Sequence, residues 1–260
     1  MSGDNGLVSM SVVSHGQIEL VQYLLNDLRQ YCSATPFEVI LTINIEETIS
    51  FDTNAFGYSV HVIRNATPKG FGANHNAAFR LAKGSSFCVI NPDIRITVNP
   101  FPCLLGCLTE NIGVVAPLVV NPQGGVEDSA RRFPTPWSIL GKAIGRARKP
   151  DYSIGEVPFH PDWVGGMFML FRNEVFGAVG GFDERYFLYY EDVDLCARLT
   201  LQNLAVDLCP QVKVIHEARR SSHRSLKYAM WHLRSMGRFF LSKPYKAIRM
   251  RTKSSALKAV

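Results

Sequence analysis

Three carboxylates stand within four residues at Glu191-Asp192-Val193-Asp194. Like charges crowded together raise one another's pKa, and an enzyme can use that to tune a base. Acidic residues also suit the first turn of a helix, where they complement the macrodipole. The run therefore reads either as a site carboxylate or as a helix start, and other parts of the chain must decide. Ahead of it lie Gly165-Gly166, the apolar run Met167 to Phe171, and Gly180-Gly181. Glycine at such places permits close backbone approach or positive φ.

Two further stretches could do chemistry. Phe87 to Asn91 reads as a short apolar strand ending in Pro92-Asp93-Ile94. An Asp just past the carboxyl end of a buried strand lies where open α/β sheets bind ligands. One carboxylate together with ligand phosphates is a usual way to hold Mg2+ or Mn2+; the plain alternative is an Asx-turn. His216 likewise follows a short apolar strand. Asn65 to Ala78, NATPKGFGANHNAA, is a glycine-rich turn feeding a helix expected to run to Lys83. A helix N-terminus there offers free N–H groups to a diphosphate. It is not a dinucleotide fingerprint, because His75 stands where a third glycine belongs.

The elements that must position these residues follow from periodicity. Leu7 to Ser14, Phe37 to Ile43, Tyr58 to Arg64 and Ile112 to Val120 read as strands. Ile18, Val21, Leu24, Leu25 and Leu28 recur at helical spacing, which predicts a helix from Gln17 to Tyr31. Strand, helix, strand with short links is a right-handed βαβ unit, so the class is α/β. Ala130-Arg131-Arg132-Phe133-Pro134 sets two guanidiniums beside an aromatic, and Trp137 to Pro150 is a basic helix or loop. Trp163 to Phe171 reads as one strand, Glu191 to Gln202 as a helix, and Ala205 to Leu208 and Val212 to Ile215 as two short strands around Pro210.

Composition narrows the classes. No apolar run approaches the roughly 20 residues of a membrane helix, and no secretory segment follows Met1 to Asn5. Six scattered cysteines, of which only Cys103 and Cys107 are close in sequence, read as reduced thiols in a cytosolic protein. The net charge of +6 is uneven. Residues 211 to 260 hold thirteen Lys and Arg against one acid, Glu217, so a basic tail follows a mildly acidic body. Such a tail suits an anionic partner, nucleic acid or lipid. From Ser225 the pattern is helical: Leu226, Met230, Leu233 and Phe240 form one stripe, and Lys227, Arg234 and Arg238 another. The apolar stripe either packs on the body or lies open; Arg219, Arg220 and Arg224 add to the basic surface. The amphipathic character favours a membrane surface, and the body carries no recognised nucleic-acid motif.

In this order, Ser14-His15, Gly70-Phe71-Gly72 with Asn74 and Asn76, Asn91-Pro92-Asp93, Gly165-Gly166, Gly181-Phe182-Asp183-Glu184 and Glu191-Asp192 resemble glycosyltransferase family 2. Ser129 to Pro134, Phe187 to Cys196 and Trp231 to Phe240 are most similar to its bacterial dTDP-rhamnosyltransferases of O-antigen and cell-surface polysaccharide synthesis. The resemblance implies a GT-A (Rossmann-like) fold over residues 1–215, a mostly parallel mixed sheet flanked by helices, and a basic amphipathic helical extension over 216–260. It implies an inverting transfer, L-rhamnose from dTDP-L-rhamnose to a lipid-linked or oligosaccharide acceptor, at the inner face of the bacterial cytoplasmic membrane. UDP-galactose or a mannosyl donor is the alternative.

By the same resemblance Asp192 is the base, with Glu191 beside it. Ser14, Asn44, Gly70, Gly72, Asn74 and Asn91 meet the nucleotide sugar. Asp93 and His216 hold Mg2+ or Mn2+, and Trp163, Gly165, Gly166 and Asp194 meet the acceptor. Two departures stand out. Asn91-Pro92-Asp93 replaces the usual Asp-x-Asp, and Ile43-Asn44 replaces the Asp-Asn that grips the base.

Overall fold

The computed structural model describes residues 6–143, 150–217 and 226–258. The first half of the chain forms Val8–Ser14 (β1), Ile18–Tyr31 (α1), Phe37–Ile43 (β2), Ser59–Arg64 (β3), Phe71–Phe79 (α2), Ser86–Ile90 (β4), Ile94–Arg95 (β5), Phe101–Cys107 (α3) and Ile112–Val120 (β6). Ala130–Arg131 (β7), Pro136–Ala143 (α4), Trp163–Val164 (β8), Phe168–Arg172 (β9), Asn173–Ala178 (α5), Glu191–Leu201 (α6), Ala205–His216 (β10), Leu226–Leu241 (α7) and Lys243–Lys258 (α8) follow.

Eight strands join in the order β3-β2-β1-β4-β9-β6-β10-β5. β1, β2, β3 and β4 are mutually parallel, and β6 is parallel to β10. β9 enters antiparallel between β4 and β6, and β5 closes the edge antiparallel to β10. Six strands therefore run the same way, and their carboxyl ends at Ser14, Ile43, Arg64, Ile90, Val120 and His216 share one edge of the sheet. β9 starts at that edge, since Phe168 pairs with Ile90.

Both faces of the sheet are covered, which is why β4 and β6 read as unbroken apolar runs rather than alternating ones. On one face Val21, Leu24, Leu25 and Leu28 of α1 and Phe101 and Leu104 of α3 pack on Met10, Val12, Val39, Leu41 and Val115. On the other, Val175 and Phe176 of α5 and Leu195, Cys196 and Leu199 of α6 pack on Phe87, Val89, Val114 and Phe171. Each such side chain contributes about 1.5–3 kcal/mol on burial. Among the buried polar atoms between these layers, Ser9 Oγ donates to Glu38 Oε1 at 2.7 Å, and Ser11 Oγ meets His75 Nδ1 at 2.7 Å.

Three elements differ from their sequence expectation. α2 ends at Phe79, not Lys83, because the Lys83 amide turns to Ser9 Oγ and Glu38 Oε1 at 3.1 and 2.8 Å. The expected strand over 163–171 is two, since the Gly165 and Gly166 amides leave the ladder for Ser129 O and Asp192 Oδ2. The two short strands around Pro210 are one strand, β10, with a bulge: its pairing to β6 passes from Cys209↔Pro117 directly to Lys213↔Leu118. A proline without an N–H is accommodated at such a bulge.

The C-terminal segment is two helices. Phe239 of α7 and Ile248 of α8 are buried with Tyr186, Tyr190, Val193 and Ala197, and Arg251 donates to Thr200 O and Asn203 Oδ1 at 2.8 and 2.6 Å. Phe239 and Ile248 thus tie α7 and α8 into a core shared with α6. Arg219, Arg220, Arg224 and Ser225 lie outside the described residues.

Candidate active site

The expected site residues gather at the edge where the parallel strands end. Asp93 follows β4, and His216 ends β10. β5 pairs Ile94 with His216, which brings the two side chains together. His216 Nε2 lies 3.3 Å from Asp93 Oδ2, and His216 Nδ1 lies 2.7 Å from Glu127 Oε2. Burial alone would lower the His216 pKa, but the Asp93 and Glu127 carboxylates outweigh it and push the pKa up to about 9. Asp93 Oδ1 is buried with no hydrogen-bond partner among the described residues. Asp93 Oδ1 is the free oxygen, His216 Nε2 lies against Asp93 Oδ2, and Glu127 holds the far ring nitrogen; with the imidazole proton displaced by an incoming ion, this donor set fits a divalent cation.

The acidic run forms the first turn of α6. Tyr189 and Tyr190, just before it, have φ of 70° and 68°. Two successive non-glycine residues in the left-handed region cost about 1–3 kcal/mol each. They are held by packing: Tyr190 stacks near Phe239 and His232 of α7 at 5.6 and 5.4 Å, and Ser235 Oγ donates to Leu188 O at 2.8 Å. This turn buries Glu191 and leaves Asp192 partly open. Burial and the neighbouring Asp192 charge push Glu191 up to about 8. Asp192 is itself raised by desolvation, against the pull of backbone N–H groups and of Arg131. A neutral Glu191 beside an ionisable Asp192 separates the two roles, with the open carboxylate placed to act as the base.

The Gly165–Met167 link joins the two halves of the site. The Gly166 amide donates to Asp192 Oδ2 at 3.0 Å, and Met167 O accepts from the Asn91 amide at 2.9 Å. A Cβ on Gly166 would lie 3.0 Å from Phe71 Cζ, so the link passes close over the start of α2. Trp163 Nε1 donates to Arg132 O at 3.0 Å, and the Arg131 guanidinium lies 5.7 Å from the Trp163 ring. Asp194 points elsewhere: its carboxylate takes Arg198 Nε at 2.8 Å, while Arg198 also holds Val179 O and Gly181 O at 2.7 and 2.8 Å. It braces the Val179–Gly181 turn.

On the other side, a cleft of about 440 Å³ is lined by Ile43, Asn44, Ile45, Glu46, Arg64, Asn65, Ala66 and Pro68, at the ends of β2 and β3. Asn44 contributes backbone framing more than a free amide. Its Oδ1 accepts from Asn65 Nδ2 and the Lys69 amide, each at 2.8 Å, and its Nδ2 donates to Lys69 O at 3.0 Å. Asn74 Oδ1 accepts from Asn65 Nδ2 at 2.7 Å. Ser14 Oγ accepts from the Gln17 amide at 3.2 Å. Gly70 and Gly72 have a packing reason: a Cβ would lie 2.7 Å from Phe187 O in the first case and 2.6 Å from Phe182 Cβ in the second. Asn91 borders Asp93 and the Met167 link.

Sequence reading missed three residues, Glu127, Glu46 and Arg64, and gave a fourth, Arg131, no role. Glu127 orients His216, Arg131 lies by Asp192, and Glu46 and Arg64 charge the cleft. Ser129 to Pro134 drew attention to Arg131; for Glu127 no local signal exists.

A mixed sheet of this order, with a carboxylate past its fourth strand and an acidic helix start beside it, is the GT-A arrangement, and the chain is a glycosyltransferase. It is similar to the rhamnosyltransferase WbbL of Escherichia coli (strain K12), with 27% identity over 251 residues that cover 91% of this chain and 94% of WbbL. It is also similar to the N-acetylglucosaminyl-diphospho-decaprenol L-rhamnosyltransferase of Mycobacterium tuberculosis, with 34% identity over 149 residues that cover 52% of this chain and 48% of that enzyme. The chain thus spans nearly all of one curated relative and about half the length of the other. Among solved structures, GalNAc-T7 with UDP, GalNAc and Mn2+ superposes with a TM-score of 0.65 over 92% of this chain and 49% of its own, at 15% identity. No protein-family model matches the chain. The likeness to glycosyltransferase family 2, and to its rhamnosyltransferases in particular, therefore stands on relatives and fold together.

Proposed function

We propose that the chain is an inverting transferase that moves L-rhamnose from dTDP-L-rhamnose to a lipid-linked saccharide acceptor in bacterial surface polysaccharide synthesis. The likeness to WbbL over 91% of the chain supports this reading of the sugar. Inversion needs a base on one face of the sugar carbon and a stabilised leaving diphosphate on the other. Asp192 takes the proton of the acceptor hydroxyl, aimed by the Gly166 amide. Asp93 and His216 would hold Mg2+ or Mn2+, with Glu127 fixing the imidazole. That cation, when bound, neutralises charge on the departing diphosphate. Ser14, Asn44, Asn74, Asn91 and the Gly70–Gly72 turn shape the nucleotide side. Glu46, exposed at the mouth of the cleft, is the carboxylate available for the base, in place of the Asp missing beside Asn44. Trp163, Gly165, Gly166 and Arg131 border the acceptor side.

Among the described residues no helix is long and apolar enough to cross a membrane. Leu226, Met230, Leu233 and Leu241 of α7 are exposed on one face, beside exposed Lys227, Arg234 and Arg238. An open apolar stripe flanked by cations suits peripheral binding to an anionic leaflet. That would set the enzyme at the cytoplasmic face of the membrane, where a lipid-linked acceptor lies.

The deciding experiment measures thermal shift with dTDP, UDP and GDP, followed by transfer assays that read the anomeric configuration of the product. Stabilisation by dTDP and an inverted rhamnoside support the proposal. Selective stabilisation by UDP or GDP points to a galactosyl or mannosyl donor, and a retained configuration rejects the inverting mechanism.

A further inference from the structure

Cys103 and Cys107 stand one turn apart on α3 and so share a face. The bulge in β10 brings Cys209 against them. Cys209 Sγ lies 3.2 Å from Cys103 Sγ and 3.7 Å from Cys107 Sγ, and the three sulfurs lie within 4.8 Å of one another. All three thiols are free. They sit on the α1 and α3 face of the sheet, opposite α6, and no step proposed above uses them.

We propose that Cys103, Cys107 and Cys209 form a binding site for a thiophilic divalent cation, Zn2+. Zn–S bonds of about 2.3 Å at the tetrahedral angle set sulfurs about 3.8 Å apart; the Cys107–Cys209 separation of 3.7 Å is already close to that value, and the Cys103–Cys209 separation of 3.2 Å needs only a small side-chain adjustment to reach it. Three converging sulfurs fit a cation better than a disulfide, which would use two and leave the third against the bond. Gln211 Oε1 is 3.1 Å from Cys209 Sγ, so an amide oxygen or a water is at hand for the fourth position. Cys103 and Cys107 are part-exposed, which supplies an entry path, whereas Cys209 is buried.

Desolvation first, then the neighbouring thiols, holds the Cys209 thiol well above its ordinary range, and burial raises Cys107 as well. Burial therefore favours the neutral thiol at Cys209 and Cys107 before metal enters. Binding exchanges one Zn2+ for three protons released to solvent, and the filled tris-thiolate site carries a net charge of −1. The bound ion would tie α3 to the β10 bulge.

Full-length reduced protein titrated with Co2+ tests this. The expected result is thiolate-to-cobalt charge transfer that saturates at one Co2+ per chain, with the strong visible bands of a tetrahedral ion. One equivalent of Zn2+ should bleach both. Cys107→Ser, part-exposed and checked for folding by circular dichroism, should lose the charge-transfer band. Cys196→Ser and Asp93→Ala should keep it, the latter separating this site from the one at Asp93 and His216. Absence of a thiolate band, or an unchanged band in Cys107→Ser, overturns the proposal. So does a Cys103–Cys209 disulfide in protein purified without reductant that retains no metal.

Discussion

The Gly166 amide donates to Asp192 Oδ2 at 3.0 Å, so the link that leads into β9 also aims the carboxylate at the head of α6. Asp192 should therefore act through its charge, not its shape. Asp192→Asn should keep the fold and donor binding while transfer falls about 10²–10⁴-fold, the usual contribution of a general base. Steady-state transfer assays beside nucleotide titrations check this, and near-normal turnover in a folded variant rejects the assignment.

Glu191 gives a pH test with a defined sign. Its folded pKa of about 8 stands above the ordinary 4.5, so between these values the folded state holds more protons than the unfolded one. The group's contribution is fully present below the lower value and is lost as pH rises through the upper. Glu191→Gln keeps the neutral form at every pH. Urea unfolding from pH 5 to 9 should show the wild type losing stability relative to the variant; parallel curves would contradict a buried, neutral Glu191.

Asp93→Ala should weaken nucleoside diphosphate binding more than Asn91→Ala, because a carboxylate brings a charge to the cation that an amide lacks. Glu127→Gln should reduce Mn2+ affinity about 10–100-fold through its effect on His216. Calorimetric titration with and without chelator reads both. If chelator changes neither binding nor transfer, Asp93 and His216 are structural.

At the tail, each basic residue near an anionic leaflet is worth about 1 kcal/mol and is screened by salt. Co-sedimentation with anionic vesicles should occur at low salt and reverse at high salt. Glu substitution at Arg234 and Arg238 should weaken it and leave donor hydrolysis intact. Equal binding to neutral vesicles removes the electrostatic mechanism, and tight duplex DNA binding without vesicle binding favours nucleic acid instead.

Gly72→Ala sets a Cβ 2.6 Å from Phe182 Cβ and should destabilise the protein by about 1–3 kcal/mol, as overpacking does. Gly106→Ala in α3 meets nothing within 4 Å and should stabilise it by about 0.4–1 kcal/mol. Guanidinium unfolding distinguishes the pair.

The strands and the Asp93 and Asp192 positions were legible because hydrophobic period and turn residues are local signals. What was not legible depends on long-range pairing. Glu127 meets His216 across 89 residues, and Cys209 meets Cys103 across 106. Nothing near Glu127 marks it as a partner, and the bulge that brings Cys209 to α3 arises only from its register with β6. Likewise, the stripes on α7 were visible, but which of them faces the body was not: Ser235 and Phe239 turn inward, and Leu226, Met230 and Leu233 stay open.

Asn76 clamps Phe182 through both its amide and its carbonyl, at 2.9 and 2.8 Å, and the Phe71 amide donates to Phe187 O at 2.9 Å. The start of α2 and the segment that leads into α6 are thus riveted at two points, one through the Asn76 side chain and one from backbone to backbone. The span between the nucleotide side and the base is accordingly a fixed gauge. A donor sugar of different bulk would have to be accommodated by side chains projecting into that span, not by widening it.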